Sequence, residues 1–382
     1  MIARDARWWA RWRRVDDAAE PARRAGASMA VHLHAGTRLP AVHLQIMLAS
    51  VPLAVMWVWN SGYQLRHATQ GVGAVSVPDW RNLWLPGAQA ADWMIGMAQF
   101  LPLLATSLAC VLVLEMLFAA VRRRAVEPGW MVPAWLFTLL LPAGVGLSQA
   151  MFAMGFGLVF GKLIFGGAGK HLVSPALLGG LYLRTAHPEA FVTAPAGGVV
   201  SAELMQTAWE RLADGGVAAL QAAGIGWMEL FVGQEASAFG ATSALACLLG
   251  AAFLMWSRAV AWRILAGGML GLVAGVWLLG MLMPASPVLT AGWHWHAVLG
   301  AFAFGLVFLA ADPGCTPLTR GGRWFLGGAA GALAVAIRVL DPAHPDGVLQ
   351  AILLAALFAP LADHLAVWRA ARRRRRREEA WP

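Results

Sequence analysis

The sequence predicts an all-α membrane protein of about ten transmembrane helices, and three observations carry that reading. First, only 13% of the 382 residues are charged while 59% are hydrophobic. A soluble domain has roughly twice that charged share, so this chain cannot clothe a water-facing surface in polar groups. Second, the apolar residues gather in stretches near the roughly 20 residues a helix needs to cross a bilayer core, and mean hydropathy is +0.62. Third, the basic residues sit at the ends of those stretches: Arg dominates 4–38, forms the run Arg122–Arg124 and returns as Arg372–Arg377. A net charge of +9 placed this way points to anionic headgroups and not to nucleic acid. Trp (20) and Gly (42) are abundant, as expected where Trp marks the two interfaces and Gly lets helices approach.

Taken in order, the apolar segments are 42–60, 95–121, 129–149, 150–168, 239–257, 262–282, 294–311, 323–340 and 347–368. A tenth, 172–186, is short and broken by Gly and Pro. Charge tests the count. With the Arg-rich N-terminus inside, ten crossings bring Arg122–Arg124, Lys170, Arg258, Arg263, Arg320, Arg323 and Arg372–Arg377 to the same side, as the Lys/Arg bias requires. Without 172–186, the later clusters would face outward. The expected organisation is therefore a cytoplasmic basic segment (1–41), a transmembrane domain (42–368) with an extracytoplasmic loop at 187–238, and a cytoplasmic Arg-rich tail (369–382), in a bacterial inner membrane with both termini inside.

The remaining segments are less apolar. Residues 200–213, with Val200, Leu204, Ala208 and Leu212 against Glu203, Glu210 and Arg211, read as an amphipathic helix lying on the outer leaflet. Trp8, Trp9 and Trp12 interleaved with Arg over Arg7–Arg14 read as a membrane-surface helix. No apolar h-region follows the N-terminal charges, so no cleaved signal peptide is expected. Cys110, Cys247 and Cys315 are scattered and support neither a disulfide framework nor a cysteine metal site. The five residues F-G-L-V-F occur twice, at Phe156–Phe160 and Phe304–Phe308. Both lie on crossings of the same sense, which does not indicate an inverted repeat.

Several residues carry chemistry. Glu115 is the deepest ionisable group within a span and hints at function; a pairing with Arg122 or Arg123 on its own helix is the structural alternative. Lys162, Asp312 and Asp363 lie nearer span ends, where snorkelling or capping accounts for them. Gly166, Gly167, Gly169 and Lys170 form a loop whose amides could cradle an anion such as a flavin phosphate, or simply turn between helices. His294 and His296 are spaced i, i+2 and do not share a helix face, so an interfacial belt with Trp293 and Trp295 is expected. No nucleotide fingerprint is present in a strand–helix context.

Five ordered blocks then give a resemblance. They are F-G-K-L-I-F-G-G-A-G-K (160–170) with S-P-A-L (174–177), G-A-T-S-A-L-A-C-L-L-G-A-A (240–252), W-H-W-H-A-V-L-G-A-F-A-F-G (293–305) with A-D-P (311–313), I-R-V-L-D-P-A-H-P-D-G (337–347) and F-A-P-L-A-D-H (358–364). Together they resemble the NqrB/RnfD family, the membrane subunits of the Na+-translocating NADH:quinone reductases and their relatives. The resemblance implies a ten-helix subunit of an ion-translocating electron-transport complex, partnered by other membrane and peripheral subunits. It also implies FMN held by a phosphoester to an outer-face threonine, riboflavin, quinone as substrate, and Glu115 and Asp312 on the quinone or ion path.

The family's flavin motif, D-x-x-S-G-A-T, aligns its threonine with Thr207, but Ser201, Leu204, Met205 and Gln206 replace the Asp, Ser, Gly and Ala. The literal Gly240-Ala241-Thr242 offers Thr242 instead, with Ala236 and Phe239 where Asp and Ser would stand. Bulky Met and Gln beside the acceptor obstruct a flavin-attaching enzyme, so little or no covalent FMN is expected. Val111 and Leu112 replace a glycine pair before Glu115, narrowing the space there. A cofactor-poor transporter or channel, or a membrane anchor for a redox partner, is the alternative reading.

Overall fold

The fold comes from a computed structural model. It describes residues 39–70, 88–191, 207–341 and 347–379, apart from 124, 128, 143, 168, 170, 236–238, 241–242 and 285. The surface helix expected at Arg7–Arg14, the first part of 200–213, Lys170 and Thr242 lie outside the described residues.

Five helices among the described residues are long and apolar enough to cross a membrane, and they coincide with five of the ten expected crossings. They are α1 (Leu39–Gln70), α2 (Ala88–Arg122), α9 (Trp262–Leu282), α13 (Arg320–Leu340) and α14 (Gly347–Glu379). The other five expected crossings are shorter or interrupted. Segment 129–149 holds only α3 (Met131–Leu140), because Leu141 turns extended ahead of Pro142. Segment 150–168 starts earlier, as α4 (Leu147–Leu158), and widens into a π-helical turn at Val159–Leu163. Segment 172–186 is α5 (Pro175–Ala186), a 12-residue helix with Pro at its first position. Segment 239–257 shortens to α8 (Ala244–Trp256). Segment 294–311 breaks into α11 (Trp293–Val298), α12 (Phe302–Phe304) and a second π-helical turn at Gly305–Leu309.

Interrupted helices free backbone groups that lipid cannot satisfy, so they persist only where protein supplies partners. Here it does. The Trp57 indole of α1 donates to the Leu141 carbonyl at 3.0 Å, and the Gly240 N–H donates to the Leu140 carbonyl at 3.3 Å. The long helices pack through small residues. A Cβ on Gly271 would collide with the Gly328 carbonyl oxygen, and one on Gly331 with that of Gly268. The α9–α13 crossing is therefore a backbone-to-backbone contact that glycine alone permits. Helices α1 and α2 are tied by Arg66, which donates to both oxygens of Asp92, at 2.6 and 2.9 Å.

The amphipathic helix is displaced from its expected place. It is α6 (Ala208–Ala222), kinked at Gly216, and Thr207 is its N-cap. Trp209, Leu212 and Leu220 are buried, and the helix packs on the short α10 (Pro287–Thr290). It is a packed part of the fold and not a helix resting on lipid: its apolar face is buried against protein. Helix α7 (Trp227–Val232) follows it.

Candidate functional site

The two F-G-L-V-F segments gain a meaning from the backbone. Each leads into one of the two π-helical turns, Val159–Leu163 and Gly305–Leu309. Single π-turns inside helices cost hydrogen-bond geometry and recur at functional sites. In the first, the wide turn closes with the Ile164 N–H on the Val159 carbonyl at 3.0 Å. Lys162 sits on that turn and points inward, only 3% exposed. Snorkelling therefore does not account for it.

The Lys162 ammonium lies 2.5 Å from Glu115 Oε1 and 3.4 Å from Glu127 Oε2. Glu115, on α2, is 4% exposed. Its partner is thus 47 residues away and not the neighbouring arginines. Arg122 stacks its guanidinium over Phe118 at 5.4 Å, and Arg123 has left the helix with a positive φ of 52°.

The glycine loop follows this turn. Gly166, Gly167 and Gly169 take φ of 108°, 110° and 78°, conformations that side chains rarely adopt. At Gly167 the space is also taken: a Cβ would collide with Glu127 Oε1. The loop thus packs against Glu127, the carboxylate that shares Lys162, and among the described residues its glycines serve the turn. Gly167→Ala is expected to lower stability by about 1–3 kcal/mol through backbone strain. Gly169→Ala, where nothing stands within 4 Å, should cost the strain alone, at the low end of that range. Thermal unfolding of the two variants in detergent checks the order.

The loops after the two π-turns meet. His171 Nε2 lies 3.7 Å from Asp312 Oδ2. Asp312 folds its own loop: Oδ1 accepts from the Gly314 N–H at 2.9 Å, and its carbonyl accepts from Cys315 and Thr316 N–H groups at 3.1 Å. His43, Lys162, His171, Ser174 and Asp312 line a cavity of about 20 Å³ between these loops and α1 and α3, room for roughly one water. The donor atoms of His171, Asp312 and Cys315 come within 4.8 Å of one another, a grouping that their scattered positions did not suggest. Burial, then the charge of Asp312, pushes the Cys315 thiol well above its ordinary value. The thiol donates to the Asp312 carbonyl, and the Lys162 ammonium faces the same cavity and opposes a second cation. Asp363, on α14, caps α13 as expected: its carboxylate accepts from the N–H groups of Leu318 and Thr319 and from the Thr319 hydroxyl.

Thr207 is placed elsewhere, at the head of α6, and is not part of this cluster. Its hydroxyl accepts from the Glu210 N–H at 3.3 Å while Glu210 Oε2 accepts from the Thr207 N–H at 2.7 Å, a reciprocal capping box. The residue is 8% exposed. A buried hydroxyl engaged in a cap, with a carboxylate beside it, does not fit esterification by a flavin phosphate. Nor does a cavity of about 20 Å³ accept an isoalloxazine ring, since small-molecule pockets begin near 300 Å³.

Of the W-H-W-H run, His296 is fully buried with Nε2 3.1 Å from the Val288 carbonyl, while Trp293 is exposed and Trp295 buried. The run is split between core and surface and is not an even belt. Arg338 has a role that the sequence did not suggest. It is fully buried on α13 and donates to the carbonyls of His296 and Leu299, at 2.8 and 2.6 Å. Its guanidinium also lies 4.9 Å from the Trp209 ring. It closes the break after α11. The signal for it was a lone arginine near the end of an otherwise apolar span.

Known proteins share this pattern along most of the chain. The B-type subunit of the Na(+)-translocating NADH-quinone reductase of Azotobacter vinelandii is 36% identical over 352 residues, covering 88% of this chain and 86% of the relative. That of Pseudomonas aeruginosa is 36% identical over 353 residues with the same coverage. That of Chromohalobacter salexigens is 36% identical over 367 residues, covering 92% and 87%. The profile described as NQR2, RnfD, RnfE family matches residues 27–372. With helices α1 to α13 and most of α14 inside that match, the chain belongs to the NQR2, RnfD, RnfE family.

Proposed function

We propose that this chain is the NqrB-like membrane component of an ion-translocating NADH:quinone reductase, working with other membrane and peripheral subunits in a bacterial inner membrane. Its 1–41 and 369–382 segments face the cytoplasm and 187–238 the opposite side. The observation that carries the reading is the buried Glu115–Lys162 pair, extended by the half-buried Glu127 and set beside the His171–Asp312 loops. Charged groups within membrane spans are costly and are kept where they line an ion or proton path. In this reading Lys162 holds the carboxylates of Glu115 and Glu127 at one place, and Asp312 fixes the loop beside them. Glu115→Gln is expected to lower Na+-stimulated, NADH-driven quinone reduction in membrane vesicles carrying the whole complex about tenfold or more, the effect of about 1.4 kcal/mol at a rate-limiting barrier. A rate unchanged in this variant would remove Glu115 from the path.

The reading carries no covalent flavin on Thr207. Intact-mass analysis of the purified chain is expected to give the mass of the polypeptide without an FMN increment, and its peptides spanning Thr207 and Thr242 unmodified. An increment on either residue overturns this. The capped hydroxyl of Thr207 also favours a second reading, a membrane anchor or transporter for a partner redox protein. A colourless purified chain whose loss leaves quinone reduction intact would favour it over the first.

A further inference from the structure

Helix α8 packs on α1, and helix α9 packs on α13. Helices α8 and α9, with α7, α11, α12 and the second π-turn, enclose a cleft of about 540 Å³ that opens to one side. It runs the length of α8, whose Leu248, Ala251 and Met255 line it, to Leu265 and Met269 on the first turns of α9 and Leu306 on the second π-turn. The lining is apolar almost without exception. A 13-residue helix is about 20 Å long, and the lining follows α8 from Ala244 to Met255.

Charge marks one end. Met255 and Trp262 both line the cleft, and the turn between them carries Arg258, held at φ 59°. Arg263 follows, with its guanidinium 5.1 Å from the Trp262 ring centroid. Two arginines thus flank lining residues in sequence, and Arg263 lies against Trp262, which lines the cleft. Each arginine near an anionic headgroup is worth about 1 kcal/mol.

From this we infer that the cleft is a lipid site, which takes one acyl chain of a phospholipid whose anionic headgroup rests on Arg258 and Arg263. The inference stands apart from the redox reading, because none of these residues belongs to the Glu115–Lys162 network. The slot replaces helix–helix packing between α8 and α9 with a lipid chain, so the short α8 is flanked on that side by lipid held in place by charge.

The test places the full-length chain in phosphatidylcholine nanodiscs that contain a trace of phosphatidylglycerol with a mid-chain diazirine, followed by peptide mapping after illumination. The label is expected on the segments Leu248–Met255 and Leu265–Met269. Ala266→Trp, which fills the slot, should remove that label. Arg258→Gln and Arg263→Gln change no residue that lines the cleft. Each should lower the preference for labelled phosphatidylglycerol over its phosphatidylcholine counterpart about fivefold. Label spread evenly over the lipid-facing helices, an unchanged headgroup preference in the arginine variants, or displacement by a quinone but not by phosphatidylglycerol would each overturn the inference.

Discussion

Lys162→Met is expected to destabilise the protein by about 3–5 kcal/mol, the usual cost of removing one partner from a buried ion pair. The cause is specific. Glu115 is 4% exposed, and Lys162 at 2.5 Å is the cation that compensates it. Methionine fills much of the volume but leaves a buried carboxylate without its counter-ion, the costly case for a buried pair. The reverse substitution costs less. In Glu115→Gln the ammonium keeps Glu127 at 3.4 Å, so stability falls by only a fraction of that amount. Combining Glu115→Leu with Lys162→Met removes both charges, and apolar replacements of buried pairs are often neutral. The double variant should therefore regain most of the loss, while quinone reduction by the complex stays low. Thermal unfolding of the wild type, Glu115→Leu, Lys162→Met and the double variant, read as a double-mutant cycle, checks this. A Lys162→Met protein within about 1 kcal/mol of wild type, the range of an exposed pair, would show that the pair does not hold the fold together.

Arg338→Met is expected to cost a similar amount, about 3–5 kcal/mol. Each hydrogen bond from a charged group contributes about 1.5–3 kcal/mol, and Arg338 makes two, to the His296 and Leu299 carbonyls. Those carbonyls belong to the last turn of α11 and its C-cap, where the helix supplies no partner. Removal leaves them buried and unsatisfied next to apolar side chains. Lysine does not replace the planar fork that reaches both oxygens, so Arg338→Lys should recover less than half. Against total stabilities of about 5–15 kcal/mol, the methionine variant should be recovered in low yield and be labile to proteolysis between α11 and α12. Normal yield and an unaltered unfolding midpoint would mean that the carbonyls have found other donors.

Both predictions rest on residues whose importance the sequence disclosed unequally. Glu115 was visible as a carboxylate inside an apolar run, because intramembrane charge is rare for a stated energetic reason. Its partner was not visible. Helical spacing offered Arg122 and Arg123, whereas the π-turn at Val159–Leu163 rotates Lys162 inward from a helix distant in sequence. Arg338 stood in plain view within a long span without a legible role, since its function depends on a break in a different helix. The glycine loop was recognised, and the positive φ at Gly166, Gly167 and Gly169 gives the turn as the reason for it. Thr207 was located by alignment, but only the capping box with Glu210 showed its hydroxyl to be occupied.

The sequence by itself determined the solvent, the class and the kinship. Low charge and long apolar runs demanded lipid, five of those runs are helices that meet the length test, and the ordered blocks pointed to the family. The tertiary structure alone decided where helices break, which charges meet and which hydroxyl is engaged. Hydrophobicity is a local property summed along the chain. A π-turn, an ion pair across 47 residues or a carbonyl capped from another helix is settled by packing between segments, which no periodicity within one segment encodes.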